Sequence, residues 1–158
     1  MRKLYSELLY NEMKSNTNII ALTADLGFGI LDNIRNDFSD RFYNVGAAEQ
    51  LMIGAGIGLA EQKKIPICYS ITPFLLYRPF EFLRNYVNYE KINVKLVGAG
   101  RNKDYSHDGI SHWADDDELI LGSLSNIKIY KPENEQSLRD TFLDFLYYDG
   151  PSYLNLKR

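Results

Sequence analysis

The 158-residue chain has little cysteine and no long apolar run. Its single cysteine, Cys68, cannot form an internal disulfide and offers no cluster of metal ligands. The longest apolar and glycine stretch, Leu51 to Ala60, covers about half of the roughly 20 residues that cross a bilayer. The N-terminus mixes charges into its first turns, unlike a secretory signal. These absences predict a reduced, cytoplasmic protein that does not act at a membrane.

Clusters of basic residues are also missing. The net charge is -3 and no run of lysine or arginine occurs, so the electrostatic footprint of a nucleic-acid binder is absent. The length predicts a single domain over residues 1–158 with one core. Aromatic side chains are instead abundant: 12 Tyr, 8 Phe and 1 Trp exceed what one small core needs, which favours a second use for some of them.

Hydrophobic periodicity predicts alternating helices and strands. Residues 1–15 carry an apolar stripe at helical period, and residues 18–24 form a short, partly β-branched apolar run. Buried strands that alternate with amphipathic helices predict an α/β fold: a doubly wound, mostly parallel sheet of about six strands with helices on both faces. Further helices are predicted near 30–38, 47–62, 77–90, 115–124 and 134–148, and further strands near 41–45, 65–71, 93–98, 127–131 and 152–157.

One predicted loop, residues 99–114, is longer than structural loops usually are, and such loops tend to be functional. It follows a strand of the predicted sheet, at the edge where open α/β sheets bind ligands. It holds both histidines, His107 and His112, and also Asp108. The histidine spacing matches no zinc motif and no cysteine is near, so no metal site is predicted. The histidines are either solvated or face a substrate.

Three glycines, Gly54, Gly56 and Gly58, imitate a dinucleotide-binding fingerprint. They fall inside a predicted helix rather than in a strand-to-helix turn, and Leu59 stands where the third glycine is required. The pattern favours close packing against a neighbouring helix or subunit over nucleotide binding.

Glu49 and a set of aromatic residues each allow two interpretations. Glu49 lies in the first turn of the same predicted helix, where the helix dipole stabilises a carboxylate by about 0.3–1 kcal/mol. It is alternatively a proton-handling carboxyl at the end of a strand. Phe74, Tyr77 and Phe80 are three residues apart, which aligns them on one side of a helical turn. Such a stripe is either core or a site for a planar ligand.

Five segments, in order and across nearly the whole chain, resemble the pyrimidine-binding domain of transketolase-like, thiamine-diphosphate-dependent enzymes. No single segment is decisive, but their order favours this family over coincidence. The segments are Thr23–Leu26 (TADL), Phe42–Leu59 (FYNVGAAEQLMIGAGIGL), Pro73–Asn85 (with RPFEFLRN), Asp108–His112 (DGISH) followed by Asp116-Asp117, and Gly150–Arg158 (GPSYLNLKR).

The resemblance implies a role for Glu49 and the aromatic residues. Glu49 matches the family glutamate that shares a proton with ring nitrogen N1′ of the cofactor's aminopyrimidine. Phe74, Tyr77 and Phe80 match the pocket that lines and stacks on that ring. The cofactor supplies the carbanion chemistry, while the protein positions it and moves protons.

Other matching residues imply contacts with cofactor and substrate. Asp25 and Leu26 match a segment that helps to place the cofactor. Asp108 and His112 match residues that contact the hydroxyls and the reacting oxygen of a sugar, and His112 is therefore implied as catalytic. Arg158 matches an arginine that reaches the substrate phosphate in sugar-phosphate transketolases.

Departures from the family pattern predict a divided enzyme. The GDG motif and downstream asparagines that hold Mg²⁺ and diphosphate in the family are missing from these residues, and we expect the family's C-terminal domain to be absent as well. We therefore expect a separately encoded diphosphate-binding subunit, a heterotetramer, and transfer of a two-carbon ketol unit between sugar-like substrates. Gly27 to Gly29 lack the serine that phosphate-handling members often have, which argues against a phosphorylated substrate. Trp113 is bulkier than the residue common in the family at that position, which predicts an altered acceptor pocket.

Two alternatives remain at this point. The β subunits of 2-oxoacid dehydrogenases and small decarboxylases share this domain, but they lack the sugar-contacting pattern of Asp108–His112. A catalytically silent scaffold or a nucleotide-binding module would keep the fold alone. Glu49 together with the aromatic residues argues against that second alternative.

Overall fold

The computed structural model describes residues 1–158 and contains one six-stranded sheet. The strands are β1 (Ile19–Thr23), β2 (Phe42–Asn44), β3 (Ile65–Ile71), β4 (Lys95–Ala99), β5 (Lys128–Tyr130) and β6 (Ser152–Leu156). The sheet order is β2-β1-β3-β4-β6-β5, and every adjacent pair is parallel. The predicted doubly wound parallel sheet is therefore confirmed.

Helices cover both faces of the sheet. One core cluster joins Leu9, Ile34 and Phe142 from three of the helices, and the other joins Met52 and Leu75 from two more. Successive strand residues alternate between the two clusters, as the period of two requires. None of the helices is both long and apolar enough to cross a membrane. The helices are α1 (Arg2–Ser15), α2 (Asp32–Asp37), α3 (Glu49–Glu61), α4 (Thr72–Tyr77), α5 (Phe80–Phe82), α6 (Asp117–Gly122) and α7 (Glu135–Tyr147).

The prediction of one helix over 77–90 is wrong, because the helical region starts earlier and is interrupted. Helix α4 begins at Thr72, directly after β3, with Pro73 in its first turn. It ends before Pro79, since a proline offers no N–H for the next helical bond. Helix α5 then continues as a π-helical segment over Leu83–Tyr89. The other predicted elements lie within a few residues of those observed.

The glycines of α3 lie inside the helix, and two of them pack against neighbouring parts of the chain. A Cβ atom on Gly56 would lie 2.9 Å from Cys68 Sγ on β3, and one on Gly54 would lie 3.5 Å from the ring of Phe82. Gly58 has no neighbouring atom within 4 Å. The closest approach is thus to the sheet rather than to a helix or subunit.

The long loop after β4 is folded back on itself. Its ends meet in an antiparallel bridge between Asn102 and Ala114, and the N–H of Ala114 donates to the carbonyl of Asn102 at 2.8 Å. Between them the chain makes two short 3₁₀ turns, Ser106–Asp108 and Ile110–His112. The bridge holds both histidine-bearing turns at the carboxyl edge of the sheet.

Candidate active site

Glu49 is the first residue of α3 and lies at the carboxyl edge of the sheet, just beyond β2. It is only 3% exposed. Nη1 of Arg78 donates to both of its carboxylate oxygens, each at 2.8 Å. The Arg78 side chain, between α4 and α5, is 47% exposed. A buried carboxylate is thus paired with a half-exposed cation from another element, which offsets the cost of burying its charge.

The guanidinium of Arg78 also stacks on an aromatic ring. Its central carbon lies 3.8 Å from the ring centroid of Phe74, at cation–π distance. The Phe74 ring in turn meets the imidazole of His112 edge to face, with centroids 4.8 Å apart. Glu49, Arg78, Phe74 and His112 therefore form a continuous line from α3 to the loop after β4.

Of the three aromatic residues predicted to share one side of a helical turn, Phe74 and Tyr77 lie three residues apart in α4, whereas Phe80 lies outside that helix. Phe80 lies beyond the interruption at Pro79 and packs against the core cluster under α3 and α4. The hydroxyl of Tyr77 donates to Asp116, and burial together with that hydrogen bond raises the pKa of Tyr77. Of the three, Phe74 is the ring in contact with Arg78 and His112.

The histidine-bearing turns place the two histidines differently. Nδ1 of His112 lies 3.0 Å from Oγ of Ser111, and its ring centroid lies 6.2 Å from that of Tyr105. Nε2 of His107 lies 3.1 Å from a carboxylate oxygen of Asp108. Asp108 is thus paired with His107, while His112 faces Phe74.

Arg158 reaches the same loop from the end of the chain. Its backbone N–H donates to Asp104 at 2.9 Å, and its guanidinium carbon lies 4.9 Å from the ring centroid of Tyr105. Nη1 of Arg2 donates to the hydroxyl of Tyr105 at 2.9 Å. Sequence reasoning missed Tyr105 and Arg2; an aromatic residue directly before the first histidine-bearing turn was the available signal for Tyr105.

Asp25 and Leu26 form a turn after β1. Asp25 has a φ of +51°, a left-handed conformation that aspartate tolerates. Its N–H donates to the Asn44 side chain at 2.9 Å, which also accepts from the N–H of Gly46 at 3.0 Å. The hydroxyl of Thr23 donates to the carbonyl of Leu26 at 2.9 Å. The turn is therefore fixed against the segment that leads into Glu49.

A buried polar network lies behind the site, and sequence reasoning missed it. Nε of Arg101 donates to the side-chain oxygen of Asn155 at 2.5 Å, and Nη2 donates to the carbonyls of Pro132 and Asn155 at 2.9 and 2.8 Å. A polar residue inside the apolar strand β6 was the available signal for Asn155.

The amide of Asn155 extends this network towards α4. It donates to the hydroxyl of Tyr153 at 2.6 Å and to Oγ1 of Thr72 at 3.3 Å. Thr72 donates to the carbonyl of Gly100 at 2.7 Å. The network ties the start of α4, which carries Phe74, to the start of the loop that carries His112.

The chain thus places a buried carboxylate, an aromatic ring and a folded loop at the carboxyl edge of a doubly wound parallel sheet, which is the edge where open α/β sheets generally bind ligands. The chain matches the family model described as transketolase, pyrimidine binding domain, over residues 1–158. It belongs to that family.

The curated relatives match the whole of this chain, but the match covers only about half of each relative. A putative transketolase C-terminal section from Methanocaldococcus jannaschii is 35% identical over 159 residues, covering 100% of this chain and 50% of the relative. A 6-deoxy-6-sulfo-D-fructose transketolase subunit from Clostridium sp. is 32% identical over 159 residues, which are 49% of its length. The chain therefore spans about half the length of the curated relatives it matches.

Solved structures show the same fold. A split gene transketolase, solved as an inactive β4 tetramer, superposes with a TM-score of 0.86 at 30% identity, covering 99% of this chain and 51% of the other. Transketolase from Campylobacter jejuni superposes with a TM-score of 0.88 at 18% identity, covering 25% of that enzyme.

Proposed function

We propose that residues 1–158 form the single pyrimidine-binding domain of a split, thiamine-diphosphate-dependent transketolase. The proposed reaction transfers a two-carbon ketol unit between sugar-like substrates. The observation that carries the proposal is the buried carboxylate of Glu49, aligned with Phe74 and His112 at the carboxyl edge of the sheet. Family membership supplies the cofactor class.

The residues fit an aminopyrimidine, because a group of similar shape and chemistry already contacts them. The planar guanidinium of Arg78 donates N–H bonds to Glu49 while it stacks on Phe74. A flat N–H donor is therefore accommodated between this carboxylate and this ring. Glu49 and Phe74 would hold the ring, with Tyr77 and Phe80 beside it and Asp25 and Leu26 at the neighbouring strand end. The bound cofactor would supply carbanion chemistry, which side chains lack.

In this proposal each chain residue has a limited task. Glu49 holds a proton at the ring nitrogen, and its burial excludes water from that proton. His112, fixed against Phe74, handles the proton of the reacting oxygen, and Asp108 contacts sugar hydroxyls. Arg158 offers positive charge to an anionic end of the substrate.

The proposal requires a second, separately encoded subunit that holds Mg²⁺ and diphosphate, in a cytoplasmic heterotetramer. The names of the relatives, a subunit and a C-terminal section, support a division of the enzyme. Three large apolar side chains are exposed at the carboxyl edge, where the partner subunit in this proposal would cover them. They are Phe28, Leu51 and Ile110, which are 63%, 60% and 81% exposed.

Reconstitution tests the proposal. This chain and a candidate diphosphate-binding subunit, mixed with thiamine diphosphate and Mg²⁺, should convert a ketose donor and an aldose acceptor into products. The rate of product formation is the measurement. Glu49→Gln should lower kcat by about 10²–10⁴-fold, because the isosteric amide cannot share the proton. The matched control is Glu61→Gln at the exposed end of the same helix, which should leave the rate unchanged.

The alternatives give other results. Full activity of Glu49→Gln contradicts the role of Glu49. Consumption of 2-oxoacids but not of ketoses assigns dehydrogenase or decarboxylase chemistry, and NAD binding by the chain alone assigns a nucleotide-binding module.

A further inference from the structure

Arg78 makes two contacts at once that a planar nitrogen-rich ligand would make. One is with both carboxylate oxygens of Glu49, and the other is with the ring of Phe74. Guanidinium and aminopyrimidine are both flat, both stack on aromatic rings, and both present N–H groups to a carboxylate. The arginine side chain therefore satisfies the same two groups that the proposed cofactor ring requires.

These contacts cannot be shared. Nη1 of Arg78 binds both oxygens of Glu49, and its central carbon lies 3.8 Å from the Phe74 centroid, which is the distance of direct stacking. A second planar group cannot lie on the same face of Phe74 and also meet Glu49 until the guanidinium leaves. Arg78 is the only side chain that donates hydrogen bonds to the buried carboxylate of Glu49.

The side chain of Arg78 can also rotate away from Glu49 and Phe74. Its side chain is half exposed and stands between α4 and α5, where Pro79 interrupts the helical hydrogen bonding. Its only side-chain partners are Glu49 and Phe74. Rotation about the side-chain bonds would move the guanidinium into solvent without breaking any backbone hydrogen bond.

We propose that Arg78 is an internal competitor for the pyrimidine site: it closes over Glu49 and Phe74, and a ring binds only by displacing it. The inference rests on the proposed function, since it takes Glu49 and Phe74 as the groups that hold the ring. Arg78 keeps the buried carboxylate paired in the closed form and sets the apparent affinity of the site. The apparent affinity is the intrinsic affinity multiplied by the fraction of molecules in which Arg78 has left the site. If Arg78 closes the site in nine of ten molecules, binding is weakened about tenfold.

The test measures binding to the full chain rather than turnover. The probe is 4-amino-5-hydroxymethyl-2-methylpyrimidine, the ring half of thiamine, titrated by NMR because weak binding is still measurable. Arg78→Met keeps an apolar stem and removes the planar cation, and should lower the Kd of the probe about tenfold. Arg84→Met is the control, because Arg84 is an exposed arginine that contacts only the neighbouring Asn85 side chain.

Two further variants make the outcome decisive. Arg78→Lys keeps the charge but loses the planar fork, so its Kd should fall between those of wild type and Arg78→Met; it also carries the test if Arg78→Met does not fold. Glu49→Gln should weaken probe binding.

Free guanidinium provides a further check. At a sub-denaturing concentration it should restore weak probe binding in Arg78→Met and leave probe binding to the wild type unchanged, compared with sodium chloride at equal ionic strength.

The possible results separate the two proposals. Tighter binding by Arg78→Met and weaker binding by Glu49→Gln support the competitor. Weaker binding by Glu49→Gln together with unchanged or weaker binding by Arg78→Met overturns the competitor and leaves the proposed function intact. Probe binding that is independent of Glu49, or absent from every variant, rejects the proposed site and the competitor with it.

Discussion

Burial changes the acid–base behaviour of single residues in this chain. Lys95 on β4, outside the candidate site, is an example. It is buried, and its Nζ donates to the carbonyls of Tyr148 and Gly150 at 2.6 and 2.8 Å. Burial lowers its pKa from 10.5 to about 8, although the negative charges of Asp149 and Asp144 act to raise it. The carbonyl partners keep the amine hydrogen-bonded in either protonation state.

The lowered pKa of Lys95 predicts how stability changes with pH. Between about pH 8 and 10.5 the unfolded chain holds a proton on this amine that the folded chain has released, so folding becomes more favourable as pH rises. From pH 8 to 10 the free energy of unfolding of wild type should rise by roughly 2 kcal/mol relative to Lys95→Met. Urea unfolding at several pH values measures the difference. Lys3→Met, at an exposed position, should show no such trend, and parallel curves for wild type and Lys95→Met would contradict the prediction.

At the scale of elements, helix α3 connects the candidate site to the core. Its first residue is Glu49, and about two turns later Gly56 packs against β3. Gly56 meets Cys68 Sγ so closely that a Cβ would lie at 2.9 Å, whereas Gly58 on the same helix meets nothing within 4 Å. The helix can approach the sheet only because Gly56 has no side chain.

This contrast predicts opposite effects for one substitution at two positions. Gly58→Ala should stabilise the protein by about 0.5–1 kcal/mol, because alanine favours the helix and no atom opposes it. Gly56→Ala gains the same propensity but must displace Cys68, and should destabilise by roughly 1–3 kcal/mol. Thermal or urea unfolding of the pair gives the signs directly. Stabilisation by both substitutions would show that α3 moves away from β3 at little cost.

The elements themselves could be predicted largely from the sequence, while several contacts of the site could not. Strands β1, β3 and β6 are apolar on both faces, a local pattern that requires burial. The break between α4 and α5 was missed, although Pro79 marks it, because the apolar spacing continues past it. The ion pair of Arg78 with Glu49 depends on how α4 and α3 meet in space, which no local pattern specifies. The roles of the site residues stay predictions.

At the scale of the whole molecule, the carboxyl edge combines the candidate site with exposed apolar side chains. Ile110, on one of the two histidine-bearing turns, is 81% exposed, and Leu51 follows Glu49 closely on α3. Both stand beside groups assigned to the site, so a protein that covers them would also enclose the site. In the proposed enzyme, the site and the subunit contact would therefore belong to one surface.

Assembly with the diphosphate subunit should depend on this surface. Ile110→Asp places a charge where the proposal requires an apolar contact, and should weaken association by tenfold or more, about 1.4 kcal/mol. Leu143→Asp, an exposed change on α7, should leave association intact. Sedimentation of the mixed subunits measures both, and near-ultraviolet circular dichroism checks that each variant is folded. Equal association of the two variants would place the subunit contact elsewhere.

The parallel sheet has a consequence for how the chain folds. Ile19 pairs with Ile65 and Lys95 pairs with Ser152, so the central strands meet only across long stretches of sequence. No pair of strands forms through a local hairpin, because every pairing in the sheet is parallel. Chains dominated by such non-local pairings fold slowly, since loop-closure entropy is lost before the contacts form. The order of the strands thus makes the folding rate of this chain depend on bringing distant segments together.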